Sequence, residues 1–521
     1  MSNRVQRGQA LILIAVAFVG LAAFIGLAVD AGILFTDIGH LRRAVDAASL
    51  SAANQFREGR TAAELTASAR QVLALNNMNV ASTGVAVETC TTNPGDPQLC
   101  FTPPRKMVRV RADLPVNFAF LPIIGFTSVT IHANAVSEAA SIDIVLAIDS
   151  SESQAYDSGC NNGTNDDAWA EENLVYNPGS PPVIPPSYDL CSGCGVDDGV
   201  ADDGCGGNPV AGAFPDDLMR DPKICNPHKQ CRPFRDVTDA AESLVWRLLP
   251  PYDRMSIVTF DRNAVTRVNL LDASSTDQAD LINQIRALEI YKFNGCPGYD
   301  AAGDPSGCTS TNTADGLKAA GNQFGIPPIR EEAVWIVILL SDGGANAATD
   351  TSSPANWICP GSPGAVNWVE PFCRDPIAGN RHPVGDAAYD PDDAARDFGD
   401  WVGCLDANSP PPPAPHPGSC AALAPGYGQG AVIFTIGLGD RVTNNTTCDA
   451  GVWGASCEPD FGEKLLRYIA AVGDDGNPLT DPCSAAAVGA DCGNYYYSPT
   501  GAGLLEVFEA IASRIFTRIT H

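Results

Sequence analysis

Four rhythms of apolar and polar residues follow one another along this chain, and each predicts a different kind of element. First comes an unbroken run of twenty uncharged residues, Ala10 to Val29, ALILIAVAFVGLAAFIGLAV. As a helix it is about 30 Å long, enough to cross the hydrocarbon core of a bilayer. Next, Ile38, Leu41, Val45, Ala48 and Ala52 recur at spacings of three and four, one apolar face of a helix running on from the first. Between 79 and 140 the period drops to two. MVRVRADLPV (Met107–Val116) and SVTIHANAVS (Ser128–Ser137) alternate as half-buried strands do. Beyond Ser141, short continuous apolar runs stand at Ile144–Asp149, Met255–Phe260, Val265–Leu271, Val334–Leu340 and Ala431–Leu438. Amphipathic patterns separate or follow them at Val237–Leu249, Thr276–Leu288, Thr313–Gln323, Phe461–Val472 and Gly503–Phe516. Continuous apolar strands are covered on both faces, and strands alternating with helices mark an α/β layer structure.

The fold class expected is therefore α/β: a doubly wound, mostly parallel sheet flanked by helices, preceded by an N-terminal transmembrane helix and a small α+β segment. The first strand of that sheet ends in chemistry. In SIDIVLAIDSSES, Ser141 to Ser153, the apolar run stops at Asp149 and is followed by Ser151 and Ser153. Those oxygens sit at the carboxyl edge of the sheet, where open α/β sheets bind ligands. One carboxylate with two hydroxyls suits a hard cation, Mg²⁺ foremost, Mn²⁺ or Ca²⁺ otherwise. A serine-rich turn whose hydroxyls cap a helix would read the same way. Two later stretches bear on that choice: TSTNTADGLKAA, Thr309 to Ala320, puts threonines ahead of a helix, and WIVILLSDGGAN, Trp335 to Asn346, is an apolar strand ending in Asp342 and a glycine pair.

Taken in order, D-S-S-E-S, T-N-T-A-D-G-L and I-L-L-S-D-G resemble the metal-ion-dependent adhesion site of von Willebrand factor type A domains. The resemblance implies hydroxyl ligands at Ser151, Ser153 and Thr311 and carboxylates, direct or through water, at Asp149 and Asp342. Glu152 stands where the family has a small residue, at a position that is not a ligand. It also implies an open coordination position, filled by an acidic residue of a protein partner. YYYS, Tyr495–Ser498, followed by GAGLLEVFEAIASRI is similar to the last strand and helix of that fold.

Composition narrows the setting. The chain has 521 residues, a net charge of −29 and 18 cysteines, none of them before Cys90. So acidic a chain is not built to bind nucleic acid or an anionic surface electrostatically. Arg4 and Arg7 precede the long apolar run, and Asp30 and Asp37 follow it, which places the N-terminus in the cytoplasm and the bulk outside, where cysteines pair. A cleaved secretory signal is the competing reading, against which stand the length of the run and the lack of a small-x-small site after it. Processing after Gly8 in the pilin manner would want a Glu where Leu13 stands. RGQALILIAVAF…GLAVDAGILF…LRRAVDAASLSAA, Arg7 to Ala53, resembles the N-terminal segment of Tad (tight adherence, Flp pilus) assembly proteins of the TadE/TadG type, and FLPIIGFTSVTIHANA resembles the tail of that segment. Together the two resemblances imply a TadG-like protein whose partners are pilus subunits or other Tad components.

The domain organisation expected is a cytoplasmic N-terminus (1–9), a transmembrane helix (10–35), a helical stalk (36–78), a β-rich segment (79–140) and the sheet domain (141–521). The last is about twice the length one such domain needs, and insertions at 154–235, 345–430, 440–460 and 474–493 account for the excess. PPPPAP, Pro410–Pro415, is expected to be extended polyproline II. Cysteines come as near neighbours, Cys90/Cys100, Cys296/Cys308, Cys359/Cys373, Cys404/Cys420, Cys448/Cys457 and Cys483/Cys492, and read as loop staples. Six more, Cys160, Cys191, Cys194, Cys205, Cys225 and Cys231, have no deducible pairing. Zinc on Cys191, Cys194, Cys225, His228 and Cys231 is the rival. The acidic run Val196–Gly204 could hold Ca²⁺ but lacks the spacing of a known calcium loop, and a solvated acidic turn is the expectation.

No G-x-S-x-G, H-E-x-x-H or P-loop occurs, and the six histidines are scattered. A binding protein, not an enzyme, is expected: an adhesin, or an assembly and anchoring factor for pilus subunits, with a metal-dependent hydrolase as the reading from another class. The charge asymmetry about Ala10–Val29 makes a test of topology. A tag at His521 should be outside the cytoplasmic membrane, accessible to added protease in spheroplasts; protection there overturns the assignment.

Overall fold

In the computed structural model, a single helix, α1, runs unbroken from Gln6 to Arg57. The structure describes residues 6–57, 59–79, 84–155, 231–261, 263–290, 311–327, 329–330, 332–348, 381–382, 389–404, 428–444, 458–476 and 482–518. Two compact units divide the chain, Met1–Ser141 and Ile142–Ile519, and each is considered by itself.

In the first unit, the expected transmembrane helix (10–35) and the first part of the expected stalk (36–78) are one helix to Arg57, and a second helix follows within the stalk. No proline or cap interrupts the sequence of α1, so nothing stops it before Gly59, whose φ is positive. By length and composition α1 can cross a membrane. Ile12 to Ile25 lie exposed, whereas Leu41, Ala44, Val45, Ala48 and Ala52 are buried. The second group packs against α2 (Ala62–Leu75) and against an antiparallel sheet of β1 (Gly84–Thr89), β2 (Lys106–Asn117) and β3 (Ser128–Ala139) in the order β1-β2-β3. A capping box starts α2: the Thr61 side chain accepts from Glu64 N while Glu64 reaches back to the Thr61 amide. Cys90 and Cys100 close the β1–β2 loop with a disulfide, as their spacing predicts.

The second unit is a six-stranded sheet of β4 (Ile142–Asp149), β5 (Arg254–Phe260), β6 (Ala264–Val268), β7 (Val334–Ser341), β8 (Val432–Leu438) and β9 (Tyr495–Ser498), ordered β6-β5-β4-β7-β8-β9. Every pairing is parallel except that of β6 with β5. Alternate residues of β4 face opposite layers. Ile142, Ile144, Leu146 and Ile148 meet α3 (Phe234–Val245), α4 (Gln278–Ala287) and the last helix (Leu504–Arg518), while Val145 and Ala147 meet α5 (Thr313–Phe324), α6 (Pro391–Gly403) and α7 (Phe461–Asp475). Burial on both sides is why β4 carries no polar residue between Ile144 and Ile148.

Helix α6 corrects the sequence reading. Residues 345–430, expected to be an insertion throughout, include this element of the domain's core: Ala394, Ala395, Phe398, Trp401 and Val402 are buried against the sheet. Four aspartates in PDDAARDFGDWVG hide the apolar stripe. Two of them, with Asp390, serve the helix start, since the Asp390 carboxylate accepts from the amides of Asp392 and Asp393. Asp397 and Asp400 pair with Arg381. The supposed insertion at 440–460 begins with a helical turn, Asp440–Thr443, that buries Val442.

Two of the six expected staples are thus formed as read, Cys90 with Cys100 and, in the segment 474–493, Cys483 with Cys492. Cys404 is disulfide-bonded, but Cys420, expected as its partner, lies outside the described residues. Cys231 is disulfide-bonded as well, which takes it out of the zinc set read from its spacing, because a cystine sulfur has no thiolate to give a metal. The staples expected between Cys296 and Cys308, Cys359 and Cys373, and Cys448 and Cys457 fall outside the described residues at both ends. So do Cys160, Cys191, Cys194, Cys205, Cys225, His228, the run Val196–Gly204 and the polyproline tract.

At the amino end of β4, opposite its functional edge, Asp143 is buried between two arginines. Arg254 donates to both its oxygens, at 2.9 and 2.6 Å, and Arg330 Nη1 lies 3.2 Å from Oδ1. Removing one partner from a buried ion pair strands the rest, at about 3–5 kcal/mol. Asp143→Ala should therefore lower the unfolding free energy by about that amount in urea titrations; a loss below about 1 kcal/mol, the scale of an exposed pair, would show that the cluster does not clamp the strands.

Candidate functional site

Strand order decides where the site falls. From β4 the chain moves outward to β5 and β6, then returns to pair β7 on the other side of β4 and continues to β8 and β9. The connections diverge at the carboxyl ends of β4 and β7, which is the crevice where such sheets bind ligands. Ile148 pairs with Leu340, so Asp149 and Ser341 follow side by side, and Asp342 comes next.

Asp149 is completely buried. Its Oδ1 accepts from the Ser151 amide at 2.9 Å and its Oδ2 from Ser341 Oγ at 2.7 Å. Burial pushes this carboxyl above the usual range, more than the hydrogen bonds from Ser151 and Ser341 pull it down. Among the described residues no cationic side chain pairs with it. After Asp149 the chain turns because the Ser150 amide and hydroxyl both donate to the Phe260 carbonyl, at 2.7 and 3.1 Å. A 3-10 turn, Glu152–Ala155, then brings Ser153 back: its Oγ lies 3.0 Å from Ser151 Oγ and donates to Asp342 Oδ1 at 2.8 Å.

Thr311 arrives from a third loop. Asn312 caps α5, its Oδ1 accepting from the Asp315 amide at 3.0 Å, and its own amide donates to the Asp261 carbonyl at 2.6 Å. Asn346 fixes the other side, accepting from the Thr311 amide at 2.7 Å and donating its amide to the Thr311 carbonyl at 3.1 Å. Thr311 Oγ1 thereby stands 3.5 Å from Ser151 Oγ. All five residues singled out from the sequence thus gather on one edge: Asp149, Ser151, Thr311 and Asp342 buried, Ser153 half-buried.

The donor set is two carboxylates and three hydroxyls, with the Asp149 carboxyl fully buried within it. That is a hard-oxygen set of the sort that holds Mg²⁺, Mn²⁺ or Ca²⁺, and the residues fit such an ion. Gly344 and Gly462 let the surroundings close in. A Cβ on Gly344 would fall 1.7 Å from the Phe461 ring, and one on Gly462 would fall 3.1 Å from the Gly343 carbonyl carbon.

Sequence reasoning missed Ser341, Asn346, Asn312 and Asp261. Ser341 and Asn346 belong to WIVILLSDGGAN and Asn312 to TSTNTADGLKAA, but their contacts are with the backbone or with another ligand candidate, and no spacing along the chain reveals those. A separate group of buried carboxylates, Asp390, Asp392 and Asp393, is accounted for by the cap of α6, by Arg396, which donates to Asp392 at 2.7 Å, and by the His382 amide, which donates to Asp393 at 2.9 Å.

No protein-family model and no curated protein matches the chain. Solved structures do resemble it. Proximal thread matrix protein 1 from the mussel byssus is 13% identical or less: in one crystal form the identity is 12% and the TM-score 0.31, over 72% of this chain and 48% of that one. The pilus adhesin SpaC of Lactobacillus rhamnosus GG gives 10% and 0.35, over 79% of this chain and 33% of its own. The vWF domain of the type V pili tip protein Mfa5 of Porphyromonas gingivalis gives 13% and 0.33, over 74% and 97%. The chain thus spans less than half the length of the first two. At these scores function must be argued from the residues.

Because hydrogen bonds to a charged group are worth about 1.5–3 kcal/mol, Ser341→Ala should lower stability by about that much in urea titrations without added metal. An unchanged midpoint would mean that Ser341 does not support Asp149.

Proposed function

We propose that this protein is a membrane-anchored, extracytoplasmic binding protein whose second unit is a von Willebrand factor type A-like domain with a metal-ion-dependent adhesion site. The observation that carries the reading is the convergence of Asp149, Ser151, Ser153, Thr311 and Asp342 from three separate loops at the β4/β7 crevice. These residues would hold a divalent cation, which when bound offers an open position to an acidic group of a protein partner. Asp149 sets the position of Ser151 through its amide, and Ser153 ties the β4 loop to Asp342. The chain's own part in binding is thus to keep three loops in register without rearrangement.

The five residues include no histidine, lysine or cysteine, and binding rather than turnover is the function we assign. The membrane anchor rests on the exposed apolar length of α1; the disulfides fit an oxidising compartment. The resemblance of Arg7–Ala53 to Tad-type segments supports the further reading that the partner belongs to a Tad-like pilus system, the role being adhesion or the anchoring and assembly of pilus subunits.

Calorimetric titration of Mg²⁺ and Mn²⁺ tests the site. Asp149→Ala should abolish metal binding and with it partner binding. Thr311→Ala should weaken partner binding and leave the fold intact, because Thr311 lies outside both apolar layers. Equal metal affinity in wild type and Asp149→Ala would leave a fold resemblance that carries no function.

A further inference from the structure

The connection between β2 and β3, within the first unit, is a tip whose outermost apolar side chains are exposed. From Leu114 through Ile131 there is no charged residue, and the loop itself reads FAFLPIIGFT, Phe118 to Thr127. It is ordered: the Phe118 amide donates to the Thr127 carbonyl at 3.0 Å, and a 3-10 turn, Leu121–Ile124, ends at Gly125 with a positive φ. Yet Ile123 is 84% exposed, Ile124 69%, Phe126 64% and Phe120 45%. A continuous apolar patch of this kind on a folded surface marks a membrane or protein contact.

Two contacts fix its height along α1. Asp30 is fully buried, and its carboxylate accepts from the amides of Ala119 at 2.7 Å, Phe120 at 3.0 Å and Leu121 at 2.7 Å, the donors that begin the 3-10 turn. One helical turn earlier, Gly26 makes room for Phe120, whose Cβ would lie 2.9 Å from any Cβ placed there. The tip is therefore locked at the level of Gly26 to Asp30, where the Ala10–Val29 run ends. A carboxylate at that depth is tolerable because backbone amides satisfy it.

We infer that the β2–β3 tip is a second membrane contact, with Ile123, Ile124 and Phe126 entering the interface of the same bilayer that Ala10–Val29 crosses. The inference rests on the reading of α1 as a membrane anchor. Its occupant is lipid because the patch is continuous in height with the exposed apolar surface of the helix, and because it offers lipid chains no charge to desolvate. The anchor is then a helix braced by a wedge: Asp30 couples them, so the small sheet of this unit is held at a set distance from the bilayer and cannot swing about α1.

All seven tryptophans lie beyond residue 141, so a tryptophan added to the first unit reports on that unit alone. Full-length Ile123→Trp, Phe18→Trp and Phe101→Trp proteins are reconstituted in phosphatidylcholine vesicles with and without brominated acyl chains. Phe18 lies in the exposed apolar run, and Phe101 lies beyond the opposite end of β2, which is about 36 Å long. The expected result is that the emission added by Ile123→Trp and by Phe18→Trp is blue-shifted and quenched by bromine, while that added by Phe101→Trp is not. Quenching of Phe18→Trp without Ile123→Trp overturns the wedge and leaves the anchor standing. A blue shift of Ile123→Trp without quenching means that a protein surface, such as a second copy, covers the tip, and also overturns it. Quenching of neither removes the anchor itself.

Discussion

One buried carboxylate sets the terms for the second unit. Asp149 ends a strand that is covered on both faces and is itself fully buried, and the groups that meet its carboxylate are the Ser151 amide, the Ser341 hydroxyl and the backbone amide of Asp342. The sheet must present those donors with little tolerance. β4 and β7 run parallel in a register that places Ser341 beside Asp149, and the Phe260 carbonyl of β5 receives the Ser150 amide and turns the following residues back toward Asp342. The cost of burying a carboxyl group without fixed partners explains why the surrounding loops are tied down by backbone hydrogen bonds rather than left to adapt.

Charge is distributed unequally along the β4–β7 pair. At the amino end Asp143 has two arginines, and there the ion cluster closes the structure. At the carboxyl end Asp149 and Asp342 come together with hydroxyls instead. Asp143 and Asp149, at the two ends of one strand, thus do opposite work because of the side chains that reach them, a difference in supply that the sheet topology sets.

The first unit works by a different constraint. Asp30, one residue past the apolar run, uses its carboxylate on the amides of a loop almost ninety positions away. That bond, with the small surface of Gly26, seats the β2–β3 tip against the helix, and the antiparallel sheet then packs on the buried alanine face from Leu41 to Ala52. Polar satisfaction at one point and apolar burial along the rest hold the same three strands.

By itself the sequence determined the periodicities, and with them the element types: the long apolar helix, the two-residue alternation of β2 and β3, and the continuous runs of β4, β5, β7 and β8, all within a few residues. It also offered Asp149, Ser151 and Ser153, because a carboxylate followed by alternating hydroxyls at a strand end is a local pattern, whereas Thr311 and Asp342 joined them only through the resemblance of three separated motifs to the type A adhesion site. Helix α6 was not legible, since its aspartates bond to its own cap and to Arg381 and so can be buried where free aspartates cannot. Nor were Ser341, Asn346 and the Asp30 anchor, whose meaning lies in partners 35 to 192 positions distant. Local spacing encodes burial and ligand type; which strand lies beside β4, and hence which loops share an edge, is decided only when the sheet forms, because strand order depends on long-range packing that leaves no period in the chain.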